Sequence, residues 1–79
     1  MPTTLDSLQP GDEATVLELR GELVASERLM EMGLVTGTTL KVVKFAPLGD
    51  PMEILMRGYH LTLRRAEAAD IVVEVGQGA

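Results

Sequence analysis

The apolar residues of this chain occur in short β-prone runs that glycines and prolines repeatedly interrupt. Each run is too short and too poor in helix caps for a helix and is rich in β-branched residues, which favours strands. The densest interruption is Ala46–Pro51, where two prolines, a glycine and an aspartate predict a loop. Five strands are predicted, at Glu13–Leu19, Thr39–Phe45, Met52–Arg57, His60–Arg64 and Ile71–Val75.

One segment between the first two strands has helical periodicity. Ala25, Leu29 and Met32 recur at three- and four-residue spacing, which predicts a helix over Leu23–Met32. Gly33 follows at the position where a left-handed C-terminal cap is easiest for glycine, and Leu34 could make the accompanying apolar contact.

Three further segments are assigned from local signals. Thr3 and Asp6 have the spacing of a capping box, which predicts a short helical turn before Pro10–Asp12. Arg65–Asp70 suits one more helical turn, and Gly76–Ala79 is predicted to be a flexible tail.

These elements predict a mainly β fold. Five short strands with one inserted helix indicate a small closed barrel, SH3-like or OB-like, because closure removes exposed sheet edges. The chain has 79 residues, which is enough for one domain with a core spanning about residues 5–75. A core this small leaves little volume for an enclosed catalytic cavity, and no nucleophile elbow or phosphate-binding loop is present, so we expect no enzymatic activity.

Composition restricts the location and the partners. There are no cysteines, which excludes disulfides and thiolate metal sites and fits a reducing cytoplasm. The first residues, Met1–Thr4, lack the basic flank and apolar run expected of a signal peptide, and no apolar run is long enough to span a membrane. The formal net charge of -5 repels nucleic acid and anionic lipid. Phe45 and Tyr59 are the only aromatic residues, too few to line a groove for proline-rich peptides or to stack nucleobases.

The order of several motifs resembles the FeoA family along almost the whole chain, from about Leu5 to Val75. The motifs are Arg28-Leu29-Met30-Glu31-Met32-Gly33-Leu34, Gly37-Thr38, Ala46-Pro47-Leu48-Gly49-Asp50-Pro51, Gly58-Tyr59 and Leu63-Arg64-Arg65-Ala66-Glu67-Ala68. The resemblance implies an SH3-like barrel in the cytoplasm and a role beside the membrane transporter FeoB, whose cytoplasmic part carries the GTPase. The same fold resembles the C-terminal domain of iron-dependent repressors, although the helix-turn-helix and dimerisation segments of those proteins are absent from this sequence.

Few side chains are suited to bind metal. His60 is the single imidazole, predicted on the polar side of its strand, and is the one weak candidate ligand for a divalent transition metal. Glu27 and Glu31 lie four residues apart on the helix, a spacing that a solvated surface explains equally well. Met52 and Met56 share a strand face and are assigned to the core. We therefore expect no resident cofactor.

Two segments are candidate partner contacts. The first is the 46–51 loop, where Pro47 and Leu48 would form an apolar tip, although a tight barrel turn is a slightly better interpretation. The second is Leu34 with Val35, just after the helix. Self-association through exposed leucines or methionines is left open.

The sequence leaves three hypotheses for the function of the chain. The first is a protein-interaction module that binds the cytoplasmic GTPase part of a FeoB-like transporter and assists ferrous iron uptake. The second is a stand-alone SH3-like regulatory domain that binds a transition metal ion or a peptide. The third, an iron carrier, has the least support because the chain has so few ligands.

Overall fold

The computed structural model describes residues 2–76 and shows a mainly β fold, as the sequence predicted. Its strands and helices are β1 (Pro2–Thr4), a 3-10 turn (Leu5–Ser7), β2 (Glu13–Leu19), α1 (Leu23–Glu31), β3 (Thr39–Phe45), β4 (Met52–Met56), β5 (Tyr59–Leu63), α2 (Arg65–Ala68) and β6 (Ile71–Val75). Residues 77–79 of the predicted tail lie outside the described range. Gly76 is held, because its N–H donates to the carbonyl of Glu13 at 2.6 Å.

The six strands form one antiparallel sheet in the order β1-β6-β2-β3-β4-β5. The predicted small, mainly β fold of about five strands is observed, with one strand more than was assigned and without closure of the sheet. A sixth strand, β1, pairs with β6, and no pairing within residues 2–76 joins β1 to β5. The sheet therefore has β1 and β5 as its edges.

The missed strand β1 also changes the start of the chain. Its three residues pair Pro2 with Glu74, Thr3 with Val73 and Thr4 with Val72. The predicted helical turn follows as a single 3-10 turn, but the Thr3 and Asp6 capping box is not formed. Thr4 occupies the N-cap position instead, and its hydroxyl donates to the Asp6 carboxylate at 2.5 Å.

The β4–β5 hairpin differs from the prediction by one residue. Arg57 and Gly58 both have positive φ, of 51° and 85°, and Met56 pairs with Tyr59. Two positive φ values in a two-residue connection match the twist of the flanking strands. The turn is therefore Arg57–Gly58, and Tyr59 begins β5.

Helix α1 ends as its sequence predicts, with Met32 as the cap residue. Gly33 has φ of 104°, and its N–H donates to Met30 O at 2.9 Å, while the N–H of Leu34 donates to Leu29 O at 3.0 Å. This pair of hydrogen bonds is the Schellman motif, which satisfies the last carbonyls of the helix. Leu29 and Leu34 are both buried beside it.

The core follows strand alternation. In β4 the buried residues are Met52, Ile54 and Met56, which confirms that these methionines pack the core. Strand β6 lies between β1 and β2, and Ile71, Val72 and Val73 are all buried. The rest of the core cluster is Leu5, Leu8, Ala14, Val16, Leu29, Leu34, Leu40, Val42, Leu63 and Ala68.

Candidate interaction surfaces

The loop between β3 and β4 projects one apolar side chain. The N–H of Ala46 donates to Pro51 O at 2.8 Å, and the N–H of Gly49 donates to Ala46 O at 2.7 Å. Leu48, at the tip, is 96% exposed, and Pro47 beside it is also exposed. The segment is therefore both a hydrogen-bonded turn and a surface that presents a leucine to solvent.

Arg65, the first residue of α2, connects this loop to the rest of the fold. Its backbone N–H donates to Asp50 Oδ1 at 3.0 Å, and its Nη1 donates to Gly49 O at 3.4 Å. Its Nη2 donates to Asp6 O at 3.2 Å. The loop conformation is thus fixed from outside the hairpin, which lowers the entropy that Leu48 would lose on binding a partner.

The second predicted contact consists of Leu34, which is buried, and Val35, which is exposed. Leu34 is fully buried at the end of α1, so its side chain does not offer the surface that the sequence predicted. Its burial follows from the Schellman motif, which turns the chain back toward the core. Val35 is 36% exposed, so its role as a contact stays a prediction.

His60 lies on the exposed face of β5, as predicted. Its Nδ1 is 2.6 Å from Glu53 Oε2, and Lys44 Nζ is 4.0 Å from Glu53 Oε1. This pairing orients the imidazole with Nε2 directed away from the carboxylate. Residues 2–76 contain no group of three His, Cys, Asp or Glu side chains placed to hold a metal.

A groove between α1 and α2 was not predicted from the sequence. Its volume is about 370 Å³, and its lining is mostly apolar: Leu19, Gly21, Glu22, Ala25, Ser26, Leu29, Ala66, Glu67 and Asp70. The groove exists because small residues that are far apart in sequence, such as Ala25 and Ala66, line it. No periodicity signals such an arrangement, because the groove depends on where α2 packs relative to α1.

The rim of the groove is acidic. Glu67 is partly neutralised, because its Oε1 accepts the N–H of Arg64 at 3.0 Å and its Oε2 lies 3.8 Å from Arg28 Nη2. Glu22 and Asp70 have no side-chain hydrogen bond or ion pair within residues 2–76, and both are exposed. Two unpaired carboxylates therefore border an apolar floor.

In the part of the chain that the structure describes, no helix is both long and apolar enough to cross a lipid bilayer.

The six-stranded antiparallel sheet with its short inserted helices defines a small SH3-like protein. The model of the FeoA domain family matches residues 3–75. The chain therefore belongs to the FeoA family, which is associated with ferrous iron transport.

Individual FeoA proteins and structures are also similar to this chain. The chain is 42% identical over 71 residues to a Fe(2+) transport protein A/Fe(2+) transporter FeoB fusion protein of Porphyromonas gingivalis, a match that covers 90% of this chain and 8% of that protein. The solution structure of FeoA from Chlorobium tepidum is 43% identical, with a TM-score of 0.88 over 98% of this chain and 78% of the other. The zinc complex of Stenotrophomonas maltophilia FeoA, described as a prokaryotic SH3 domain protein, is 26% identical, with a TM-score of 0.82 over 98% and 99%.

The sequence predicted a likeness to the C-terminal domain of iron-dependent repressors, and a repressor of a different metal shares the fold. A manganese-dependent transcriptional repressor in complex with manganese has a TM-score of 0.88 over 95% of this chain and 37% of the repressor. At 17% identity the likeness concerns the fold alone.

Proposed function

We propose that this chain is a non-enzymatic accessory module of bacterial ferrous iron uptake that binds the cytoplasmic GTPase part of a FeoB-like transporter. The observation that carries the proposal is the fusion protein of Porphyromonas gingivalis, in which a segment similar to this chain and FeoB are parts of one polypeptide. Fusion raises the effective concentration of two domains for each other, which is useful when the two act together. The chain covers only 8% of that protein, so the transporter would supply the membrane part and the nucleotide hydrolysis.

The surface of the described residues is suited to this role. Leu48 is an apolar tip on a loop that Arg65 holds by two hydrogen bonds from different groups, and Val35 adds exposed apolar surface after α1. A rigid apolar anchor contributes most of its buried area to affinity, because little conformational freedom is lost on binding. We assign Pro47, Leu48 and Val35 as partner contacts in the cytoplasm.

A calorimetric titration of the chain with the purified cytoplasmic part of the cognate transporter tests the proposal. We expect saturable binding with a stoichiometry of one, and no nucleotide hydrolysis by the chain alone. The cytoplasmic part of a distant FeoB is the specificity control. Absence of binding in the GDP, GTP-analogue and nucleotide-free states, and to the complete detergent-solubilised transporter, would refute the proposed function.

The second candidate, a metal-responsive regulatory module, rests on His60. Its Nδ1 lies against Glu53, an arrangement that leaves Nε2 as a metal ligand oriented by a carboxylate. Lys44 beside the same carboxylate opposes a cation, and a single protein ligand makes a weak site. Titration with Zn²⁺ after chelation checks this: His60→Ala should abolish binding, and stoichiometric binding that survives His60→Ala would eliminate the candidate.

A further inference from the structure

The groove between α1 and α2 has the form of a docking site for one apolar side chain or a short apolar stretch. Leu19, Ala25 and Leu29 contribute apolar surface from β2 and α1, and Ala66 contributes from α2. Gly21 lets the Asp70 carboxylate approach the chain closely at the rim, because a Cβ at this position would lie 2.9 Å from Asp70 Oδ2. The volume of about 370 Å³ is at the low end of the range of roughly 300–1,000 Å³ that is usual for binding sites.

The apolar surface extends beyond the groove along the start of α1. Leu23 and Val24 follow directly after Glu22, which is part of the rim, and both are 72% exposed. Large apolar side chains exposed next to a groove are typical of an interaction surface.

The charges at the rim restrict what the groove can bind. Glu22 and Asp70 are both exposed and unpaired within residues 2–76, and Glu67, on α2, has Arg28 of α1 as its ion partner. An apolar ligand flanked by carboxylates would meet repulsion here, and a ligand flanked by cations would be attracted. The formal net charge of -5 adds to this preference at longer range.

We propose that this groove docks a basic amphipathic segment on the cytoplasmic side of the membrane transporter. Cytoplasmic loops of membrane proteins carry an excess of Lys and Arg close to the ends of their membrane-spanning helices, so they provide apolar residues next to cations. The proposal rests on the proposed function, because it names the partner segment that the module would recognise. A second copy of this chain is a poorer occupant, since a symmetric contact would bring the acidic rims of two copies together.

The probe is a synthetic helical peptide of leucine and lysine in amphipathic order, and its control has glutamate in place of each lysine. Amide shifts of the isotope-labelled chain should concentrate at Ala25, Leu29 and Ala66 with the lysine peptide. The glutamate peptide should leave the spectrum unchanged. Binding should weaken as salt is raised, because rim charges are screened within about 10 Å at 0.1 M ionic strength.

Two matched variants separate docking in the groove from general attraction between opposite charges. Ala66→Leu fills the groove without a change in charge, on an exposed helical position where leucine is well tolerated. Ala69→Leu makes the same change in an exposed residue that does not line the groove. We expect Ala66→Leu to weaken peptide binding about tenfold, as for the loss of a central contact, and Ala69→Leu to have no effect.

The charge contribution is tested by the double variant Glu22→Gln and Asp70→Asn, which changes two exposed residues and leaves the core intact. We expect it to weaken binding about three- to tenfold and to reduce the salt dependence. The groove assignment is wrong if Ala66→Leu binds the lysine peptide as the native chain does, or if both peptides bind equally well.

The same variants, titrated with the cytoplasmic part of the transporter, distinguish failure of this inference from failure of the proposed function. Native binding that Ala66→Leu leaves unchanged would overturn the groove proposal and leave the adaptor function intact. No binding by the native chain to the cytoplasmic part or to the complete transporter would refute the adaptor function, and with it the transporter segment as the occupant of the groove.

Discussion

The guanidinium carbon of Arg65 lies 5.1 Å from the centroid of the Phe45 ring. The same guanidinium donates to the carbonyls of Gly49 and Asp6. One side chain of α2 thereby contacts the end of β3, the loop that carries Leu48, and the 3-10 turn near the start of the chain. The exposed tip at Leu48 is held by contacts that lie far apart in sequence.

Arg65→Gln should loosen this loop. The variant loses a cation–π contact worth about 0.5–1 kcal/mol at an exposed site and hydrogen bonds of similar size. We expect a loss of about 1 kcal/mol in the free energy of unfolding and faster hydrogen exchange of the Gly49 amide, which donates to Ala46 O. Lys41→Gln, at an exposed cation of β3, is the control, and equal effects of the two variants would contradict the role of Arg65.

Gly33→Ala should destabilise the chain more than Gly37→Ala. Both glycines have positive φ, of 104° and 94°, so alanine is strained at either position. At Gly33 an added Cβ would also lie 3.1 Å from Met56 Cε and 3.3 Å from Tyr59 Oη, whereas at Gly37 nothing lies within 4 Å. We expect a cost of about 1 kcal/mol at Gly37 and more at Gly33, measured by urea unfolding. A smaller cost at Gly33 would show that this packing is not tight.

Leu34→Ala should act on stability, whereas Val35→Ala should not. Leu34 is fully buried, and truncation of a buried leucine typically costs about 2–5 kcal/mol. Val35 is exposed, and its truncation should change the free energy of unfolding by less than about 0.5 kcal/mol. Thermal and urea unfolding of both variants compare the two positions directly. Similar costs would mean that one of these burial assignments is wrong.

Leu48→Ser should leave the fold intact and weaken the binding of the transporter. At 96% exposure the leucine contributes little to the core, so we expect a change in unfolding free energy within about 0.5 kcal/mol. Loss of an apolar anchor should reduce affinity about tenfold or more. Leu17→Ser, at an exposed leucine of β2 outside both the loop and the groove, is the comparison. Unchanged affinity in Leu48→Ser would remove the loop from the proposed contact surface.

Local signals predicted the strands well and the closure of the sheet poorly. The bounds of β2, β3 and β6 agree with the prediction because glycines, prolines and alternating apolar residues mark them locally. Strand β1 has only three residues, too few for a detectable alternation, and it forms by pairing with β6 at the opposite end of the chain. Whether the sheet closes depends on whether its edge strands β1 and β5 pair, which no local pattern encodes.

The candidate surfaces were likewise predictable where local signals define them and unpredictable where they depend on long-range packing. The exposure of Leu48 could be predicted because the prolines and Gly49 mark a loop, whereas the burial of Leu34 depends on how the chain turns after Gly33. The groove between α1 and α2 requires Ala25 and Ala66 to approach each other from distant parts of the sequence. Residue spacing within one element could not reveal it.

The most direct test of the adaptor function is an amide-shift titration of the isotope-labelled chain with the cytoplasmic part of its cognate FeoB, in GDP and in a non-hydrolysable GTP analogue. We expect localised shifts at Val35, at Leu48 and along the groove between α1 and α2, with a magnitude that differs between the two nucleotide states. A spectrum that stays unchanged in both states at saturating concentrations would contradict a direct contact between this chain and the cytoplasmic part of the transporter.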